Sequence, residues 1–166
     1  MQPEQGKKSP AGGRKSESVE ERPAPRILIA DDDLPSVELL EAYLADSGYE
    51  VRTAIDGEAT LREAKQWQPD VILLDVMMPK ISGFEACKRL RANPASRSIG
   101  ILMITALDQS SDVERAVEAG TDDFLTKPIN KTDLLLRIRS LLKSRQNEGN
   151  LERALAYIEA VERGEK

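Results

Sequence analysis

Short apolar runs alternate along this chain with longer segments in which apolar residues recur at helical spacing. The runs ILIA (27–30), VILLD (71–75) and GILMIT (100–105) are apolar almost throughout, as is typical of strands that are buried on both faces of a sheet. YEVRTA (49–54) and DFLTK (123–127) have the composition of strands as well. The pattern predicts five strands.

A helix is predicted after each strand. Val37, Leu40 and Leu44 share one face of the first helix, which Gly48 is placed to end because glycine accepts the left-handed conformation at a helix C-terminus. The other helices are predicted over 57–67, 83–92, 111–119 and 134–145. Five strands that alternate with five helices predict an α/β domain with a doubly wound, five-stranded parallel sheet and helices on both faces.

The composition divides the chain into three parts. Residues 1–25 are rich in Gly, Pro, Ser, Lys and Glu, and we expect a disordered N-terminal tail because few of these side chains can be buried. The α/β domain spans 26–145, and 146–166 form a C-terminal helical tail or linker. No run approaches the ~20 apolar residues that cross a bilayer, so we expect no membrane segment.

The C-terminal tail is predicted to contain a separate helix over 150–163, which Asn150 can cap after Gly149 has ended the helix before it. Its apolar stripe consists of Leu151, Leu155 and Ile158. A helix of about 14 residues is marginal in water, so the stripe needs a surface to pack on. Two surfaces are candidates: the parent domain, and the same stripe of a second chain in a homodimer.

Composition also excludes several kinds of chemistry. The formal net charge of −5 provides no basic field for nucleic acid. The chain has no histidine, and therefore no histidine base, phosphohistidine or histidine metal ligand. Its one cysteine, Cys87, cannot form an internal disulfide, and we interpret it as a small packing residue in a cytoplasmic protein.

Polar residues stand at the carboxyl ends of four predicted strands. Asp31 and Asp32 follow the first strand, Asp75 ends the third, Thr105 the fourth and Lys127 the fifth. In an open parallel sheet, the functional crevice lies beyond the carboxyl ends of the strands, where the strand order switches. If strands 1, 3, 4 and 5 are neighbours, these groups converge on one site.

A bound cation explains the acidic residues of this set. Two carboxylates about 4 Å apart repel by ~4 kcal/mol at an effective dielectric of ~20. Asp31 and Asp32 could avoid the repulsion in a solvated turn, but Asp75 and Lys127 at matching positions favour a metal site. Mg²⁺ suits a few carboxylates, a carbonyl and waters. With a lysine and a threonine nearby, the set is typical of phosphoryl transfer, and Asp75 is the candidate nucleophile.

The chain resembles the receiver domain of bacterial two-component response regulators in five stretches: ILIADDD, VILLDVMMP, ISGFEA, MITAL and FLTKP. The resemblance covers 26–145 and implies a flavodoxin-like (βα)5 fold. It implies that Asp75 is the phosphoacceptor and that Asp32 and Asp75 bind Mg²⁺ directly. The Met77 carbonyl would be a further ligand, and Asp31 would act through water.

The resemblance implies roles for the remaining groups too. Lys127 would contact the phosphoryl group, and the Lys127–Pro128 bond would be cis. Thr105 and Phe124 would be the switch residues, since Thr105 would move to hydrogen-bond a phosphoryl oxygen and Phe124 would change rotamer. Asp33 would point to water, outside the metal shell.

Met77 and Phe124 depart from the family pattern, and Leu107 is relevant to water access at the site. Met77, two residues after the phosphoacceptor, stands where many relatives carry a polar residue, and Leu107 lies two residues after Thr105. Because both are apolar and cannot orient an attacking water, we predict slow self-dephosphorylation. Phe124 lacks the hydroxyl of the tyrosine that many relatives have.

Two other classes of function fit fewer residues. A phosphatase of the haloacid dehalogenase type would need the motif residues Asp31 with Asp33, Thr105, and the late acidic pair Asp122–Asp123. Lys127, however, follows that pair instead of preceding it, and Asp75 has no role in that mechanism. A receiver-like interaction domain without phosphorylation would leave the whole polar set without a role.

The partners that the resemblance implies are proteins. The phosphodonor would be a sensor histidine kinase or a histidine phosphotransfer protein, and the switched surface, around 111–145, would bind a downstream target or a fused effector. About 20 residues follow Arg145, too few for a winged-helix or helix-turn-helix domain, so we expect no DNA binding by this chain. The chain would catalyse only its own phosphorylation and dephosphorylation, either as a single-domain regulator or as the front piece of a longer one.

Overall fold

Strands and helices alternate in the order that the hydrophobic pattern predicts. The structure is a computed structural model that describes residues 23–106 and 109–164, so most of the predicted N-terminal tail and also Leu107 lie outside the described residues. The strands are β1 (Arg26–Ala30), β2 (Glu50–Ala54), β3 (Val71–Leu74), β4 (Gly100–Thr105) and β5 (Asp123–Thr126). The helices are α1 (Leu34–Leu44), α2 (Gly57–Gln66), α3 (Gly83–Ala92), α4 (Ser110–Ala119) and α5 (Lys131–Glu162).

The five strands form one parallel sheet in the order β2-β1-β3-β4-β5. The chain therefore winds in one direction from β1 to β2, and in the other direction from β3 to β5. The switch in strand order lies between β1 and β3, which is where a crevice opens in sheets of this kind. The predicted doubly wound α/β architecture is confirmed, as is the expectation that strands 1, 3, 4 and 5 are neighbours.

The core consists of two layers because successive side chains of a strand point to opposite faces of the sheet. One layer packs the sheet against α1 and α5 and includes Ile27, Ile29 and Leu134. The other packs it against α2, α3 and α4 and includes Leu28 and Phe84. β1, β3 and β4 contribute residues to both layers, which explains why their sequences are apolar without alternation.

Side chains at the helix N-termini set where four of the helices begin. The side chains of Asp33, Asp56, Ser82 and Asn130 each accept a hydrogen bond from a backbone N–H in the first turn of α1, α2, α3 and α5. At the other end of α4, Gly120 has φ of 96°, the left-handed conformation that lets it end the helix.

Two predicted helix ends are wrong. The first helix ends at Leu44, although Gly48 does have the predicted left-handed conformation, with φ of 80° in the turn that follows. The separate helix predicted over 150–163 does not exist, because α5 continues without interruption for 32 residues and Gly149 lies inside it. No helix of the described residues is both long and apolar enough to cross a membrane.

Candidate functional site

The carboxyl ends of β1, β3, β4 and β5 lie side by side at one edge of the sheet. β1 and β3 end in register, so Asp31 and Asp75 each stand one residue beyond the last pair. The Asp75 N–H continues this alignment by donating to the Ala30 carbonyl at 2.9 Å. Next to them, the Lys127 N–H donates to the Thr105 carbonyl at 2.8 Å. The sheet thus brings the predicted polar groups to one place.

Three carboxylates form a cluster at this edge. Oxygen atoms of Asp31, Asp32 and Asp75 lie within 4.8 Å of one another, a separation at which one cation can contact all three. Asp31 and Asp75 are buried, with 2% and 6% of their surface exposed, whereas Asp32 is exposed. The alternative of a solvated turn is therefore wrong for Asp31, whose carboxylate is enclosed by protein.

Lys127 supplies positive charge beside the cluster. Its Nζ lies 3.1 Å from Oδ2 of Asp31 and 3.9 Å from Oδ2 of Asp75. It also donates to Oγ of Ser36 at 3.2 Å, and that hydroxyl donates to Oδ2 of Asp33 at 2.6 Å. One lysine therefore faces several carboxylates and offsets only part of their negative charge. The Lys127–Pro128 peptide bond is cis, as predicted.

Asp33 has a structural role that the sequence interpretation missed. Its carboxylate caps α1 by accepting the Ser36 N–H at 3.2 Å, and the hydrogen bonds from Ser36 hold the pKa of Asp33 below its usual value. Asp33 is exposed, as predicted, but it does not simply point to water. The signal was present, because Asp33 and Ser36 have the spacing of a helix N-cap residue and the third helical position.

The electrostatics of Asp75 favour a further positive charge in the cluster. Burial, followed by the nearby carboxylate of Asp31, raises the pKa of Asp75 to about 7, although Lys127 and the Met77 N–H act in the opposite direction. A cation among these oxygens would favour the charged form of Asp75. Because all the side-chain donors are hard carboxylate oxygens, the cluster fits a hard divalent cation.

Thr105 and Phe124 lie on the same side of the sheet. Phe124 of β5 pairs with Met103 of β4, and Thr126 pairs with Thr105. Thr105 and Phe124 therefore project from the same face, two positions apart, because paired residues of parallel strands share a face. Thr105 is fully buried, and Phe124 is partly buried against the layer formed with α2, α3 and α4.

The loop between β3 and α3 folds back so that Gly83 packs against the backbone of Asp75 and Val76. Gly83 begins α3 there, and a Cβ on it would lie only 2.7 Å from the Cα of Val76 and would also meet the Asp75 carbonyl. The Gly83 N–H donates to the Val76 carbonyl at 2.8 Å. Met77, in the same loop, is 65% exposed and donates its N–H to Oδ1 of Asp75 at a long 3.4 Å. Sequence reasoning missed the role of Gly83.

The acidic pair required by the phosphatase alternative lies at the wrong edge of the sheet. Asp122 and Asp123 stand at the start of β5, whereas Lys127 follows its end. Asp122 accepts from Arg91 at 2.7 Å and from the Ile101 N–H at 2.8 Å. Asp123 pairs with Arg137 at 2.7 Å. Both carboxylates are thus used in structural contacts and are separated from Asp75 by the length of the strand.

Comparison with known proteins identifies the same kind of domain. The family model of the response regulator receiver domain matches residues 27–139. The chain is 48% identical over 118 residues to the response regulator PleD of Caulobacter vibrioides, an alignment that covers 71% of this chain and 26% of PleD. It is 44% identical over 119 residues to the DNA-binding dual master transcriptional regulator RpaA of a Synechocystis species, covering 72% of this chain and 49% of RpaA.

Solved structures agree with the sequence comparisons. The chemotaxis protein CheY4 of Vibrio cholerae is 33% identical and superimposes with a TM-score of 0.68, covering 72% of this chain and 99% of CheY4. The chain spans only part of the length of these relatives, about a quarter of PleD and about half of RpaA. The matched residues include β2 to β5, all of β1 except Arg26, and the acidic edge of the sheet. The chain therefore belongs to the response regulator receiver domain family of two-component systems.

Proposed function

We propose that this chain accepts a phosphoryl group on Asp75 in a Mg²⁺-dependent reaction, and that the phosphoryl group switches a protein-binding surface. The observation that carries the proposal is the position of Asp75, which lies between two further carboxylates and Lys127 at the strand-switch edge of the sheet. Membership of the receiver family supports the same reading.

Asp75 is a better nucleophile than its buried neighbour Asp31 because the protein holds it less tightly. Asp31 accepts a hydrogen bond from the Asp33 N–H at 2.9 Å and from Lys127 at 3.1 Å. The corresponding distances for Asp75 are 3.4 Å to the Met77 N–H and 3.9 Å to Lys127. These longer contacts leave lone pairs of Asp75 available to attack phosphorus.

In the proposed step, a carboxylate oxygen of Asp75 forms a bond to phosphorus while the bond from phosphorus to the donor nitrogen breaks. The donor imidazole keeps the electron pair of that bond and is later protonated by solvent. The product is an acyl phosphate on Asp75. Lys127, already 3.9 Å from the Asp75 carboxylate, is placed to offset charge on the phosphoryl oxygens.

Asp31, Asp32, Asp75 and the Met77 carbonyl would hold the Mg²⁺ ion, with Asp31 acting through water. Bound there, Mg²⁺ supplies positive charge that offsets the carboxylates and the transferring phosphoryl group. The raised pKa of Asp75 supports this assignment, because the nucleophile must be deprotonated and Lys127 alone leaves its pKa at about 7.

The switch is proposed to involve Thr105 and Phe124. The phosphoryl group adds a charge of roughly −1.5 to −2, and Thr105 would donate a hydrogen bond to it. Shifting a two-state equilibrium from 1:99 to 99:1 takes about 5.5 kcal/mol of differential stabilisation. Phe124 shares a face of the sheet with Thr105, so a movement of Thr105 could be transmitted to it and to the surface around 111–145.

The partners follow from this chemistry. The 166 residues contain no histidine, so the phosphohistidine donor, a sensor histidine kinase or a phosphotransfer protein, lies outside them. The switched surface would bind a cytoplasmic target protein or a fused effector. RpaA is a DNA-binding regulator, and the alignment with this chain covers 49% of it. We infer that the chain catalyses only its own phosphorylation and dephosphorylation.

Intact-mass spectrometry after incubation with acetyl phosphate tests the proposal. Wild type is expected to gain one phosphoryl group in Mg²⁺ and none in EDTA, and Asp75→Asn is expected to gain none. Asp33→Asn is the matched control. Asp33 lies two residues from Asp31, and its carboxylate caps α1, a role that asparagine can also fill. It should be phosphorylated like wild type.

Two results would contradict the proposal. Phosphorylation of Asp75→Asn would place the phosphoacceptor elsewhere. Absence of phosphorylation in the wild type, both with acetyl phosphate and with phosphorylated histidine kinases, would favour the alternative of an interaction domain that is not phosphorylated.

A further inference from the structure

The second half of α5 extends beyond the domain and carries exposed apolar side chains. Leu151, Ile158 and Val161 are 60%, 51% and 55% exposed, and Ala154 between them is exposed too. We define these four residues as the α5 seam. Isolated apolar side chains are common on protein surfaces, but four that recur along one line of a helix indicate a packing surface.

The parent domain does not cover this seam. α5 contacts the sheet through one face, which includes the fully buried Leu134 and Ile138. At about 100° per residue, the α5 seam lies on roughly the opposite side of the helix from that face. Because α5 is continuous from Lys131 to Glu162, the seam and the docked face have a fixed relation. Leu155, the remaining residue of the stripe predicted from the sequence, is 51% exposed as well. Packing of that stripe on the parent domain, one of the two surfaces considered for it, is therefore wrong.

The spacing of the α5 seam is that of a coiled coil. Leu151, Ala154, Ile158 and Val161 are separated by three, four and three residues, which places them at successive a, d, a and d positions of the heptad. The same frame continues toward the domain through Ser144 and Asn147, which are polar and exposed. The apolar contact thus begins at Leu151, while the side of α5 before it stays accessible to a second helix.

Charges that flank the seam favour a second copy of this chain in parallel orientation. In this frame Lys143 occupies a g position and Glu148 the next e position, the pair that meets between two parallel helices. Both side chains are exposed, and neither forms an ion pair with another described residue. The two-fold symmetry of a homodimer would create this Lys143–Glu148 pair twice.

We propose that the chain forms a parallel homodimer in which the α5 seams of two copies pack as a short coiled coil. Gly149 occupies an f position, on the outside of such a coil, and a Cβ there would meet nothing within 4 Å. The contact concerns a surface far from the acidic edge of the sheet and needs no phosphoryl group. Its test is therefore made on unphosphorylated protein, and its outcome is independent of the function proposed for Asp75.

Sedimentation equilibrium of the full chain over a range of concentrations measures the association. The mean mass is expected to rise from 18.4 kDa toward twice that value. Ile158→Glu should weaken association by about a hundredfold or more, because it places an unpaired carboxylate in the seam of each helix. Ala156→Glu is the matched control, since Ala156 is exposed on the outer side of the same turn. It should associate like wild type.

Two further variants test the orientation. Glu148→Lys should weaken the dimer by bringing two lysines together, and the added change Lys143→Glu should restore it. Ala154→Cys should form a disulfide between chains on oxidation, because the two copies of a d residue face each other in a parallel coil, whereas Ala156→Cys should not. Cys87 is buried and serves as an unreactive background.

Each outcome decides the proposal. A full chain that remains monomeric throughout, or an equal loss of association in Ala156→Glu and Ile158→Glu, would overturn it and leave the α5 seam to another protein. A dimer without the Ala154→Cys cross-link, or without rescue by the reversed charges, would overturn the parallel coil.

Discussion

Replacing Asp75, the proposed phosphoacceptor, by asparagine should make the metal-free domain more stable at neutral pH. The reason is that Asp75 is 6% exposed and lies beside the carboxylate of Asp31, and these two effects raise its pKa to about 7 from the usual 3.8. Lys127, 3.9 Å away, offsets the cost of the buried charge only in part. Asparagine has nearly the same shape as aspartate, and its side chain is uncharged whatever the pH.

The sign and size of the effect follow from proton linkage. Between about pH 4 and pH 7 the folded protein binds more protons at Asp75 than the unfolded chain, so the free energy of unfolding decreases as the pH rises through that range. At about 1.36 kcal/mol per pKa unit, the difference amounts to about 4 kcal/mol above pH 7. The pKa of about 7 already includes the attraction of Lys127, so that attraction is not subtracted again. Because asparagine only approximates the protonated carboxyl group, we expect a net gain of about 2–4 kcal/mol at about pH 8 and almost none at about pH 4.

Urea denaturation in EDTA, followed by circular dichroism, measures this difference. Adding Mg²⁺ should stabilise wild type more than Asp75→Asn, because an ion that binds the folded state raises its stability and the variant has lost one ligand. Asp33→Asn should show no gain at pH 8, since the pKa of Asp33 is lowered rather than raised. Equal stability of wild type and Asp75→Asn at pH 8, or a gain that does not shrink at low pH, would refute the electrostatic account of the site.

Three further predictions concern the loop beside the site, water access and the opposite edge of the sheet. Gly83→Ala should lower the free energy of unfolding by about 1–3 kcal/mol and slow phosphorylation, because the added Cβ would press on the backbone beside Asp75. Urea denaturation measures the first effect and mass spectrometry the second. The double variant Met77→Asn, Leu107→Glu should shorten the lifetime of the phosphoryl group several-fold, measured by mass spectrometry over time; an unchanged lifetime would show that these residues do not control water access. Arg91→Met should lower the free energy of unfolding by about 2–4 kcal/mol, because Arg91 pairs with Asp122 and donates to three backbone carbonyls. The phosphorylation rate of the folded protein should not change.

The strands and the site edge were predictable because burial leaves a direct record in sequence. A strand covered on both faces must be apolar at every position, so ILIA and GILMIT indicate β1 and β4 without any structural information. The residues that follow such strands fall at one edge of a parallel sheet. Asp31, Asp75 and Lys127 could therefore be assigned to one site before their distances were known.

The end of α5 was not predictable from the glycine alone. Gly149 resembles a helix terminator, but a glycine inside a helix costs only about 1 kcal/mol relative to alanine, and the residues around it favour helix. It ends a helix only if it adopts a left-handed conformation, as Gly120 does after α4 with φ of 96°. Gly149 remains helical, so one helix replaces the two that were expected.

The sequence by itself determined the alternation of elements, the residues at the strand ends and the absence of histidine from the site chemistry. Tertiary structure alone decided how those residues act on one another: that Asp31 is buried while Asp32 is exposed, and that Lys127 lies closer to Asp31 than to Asp75. The physical reason is that hydrophobic periodicity reports whether a position is buried, whereas a pKa depends on distances between residues far apart in the chain.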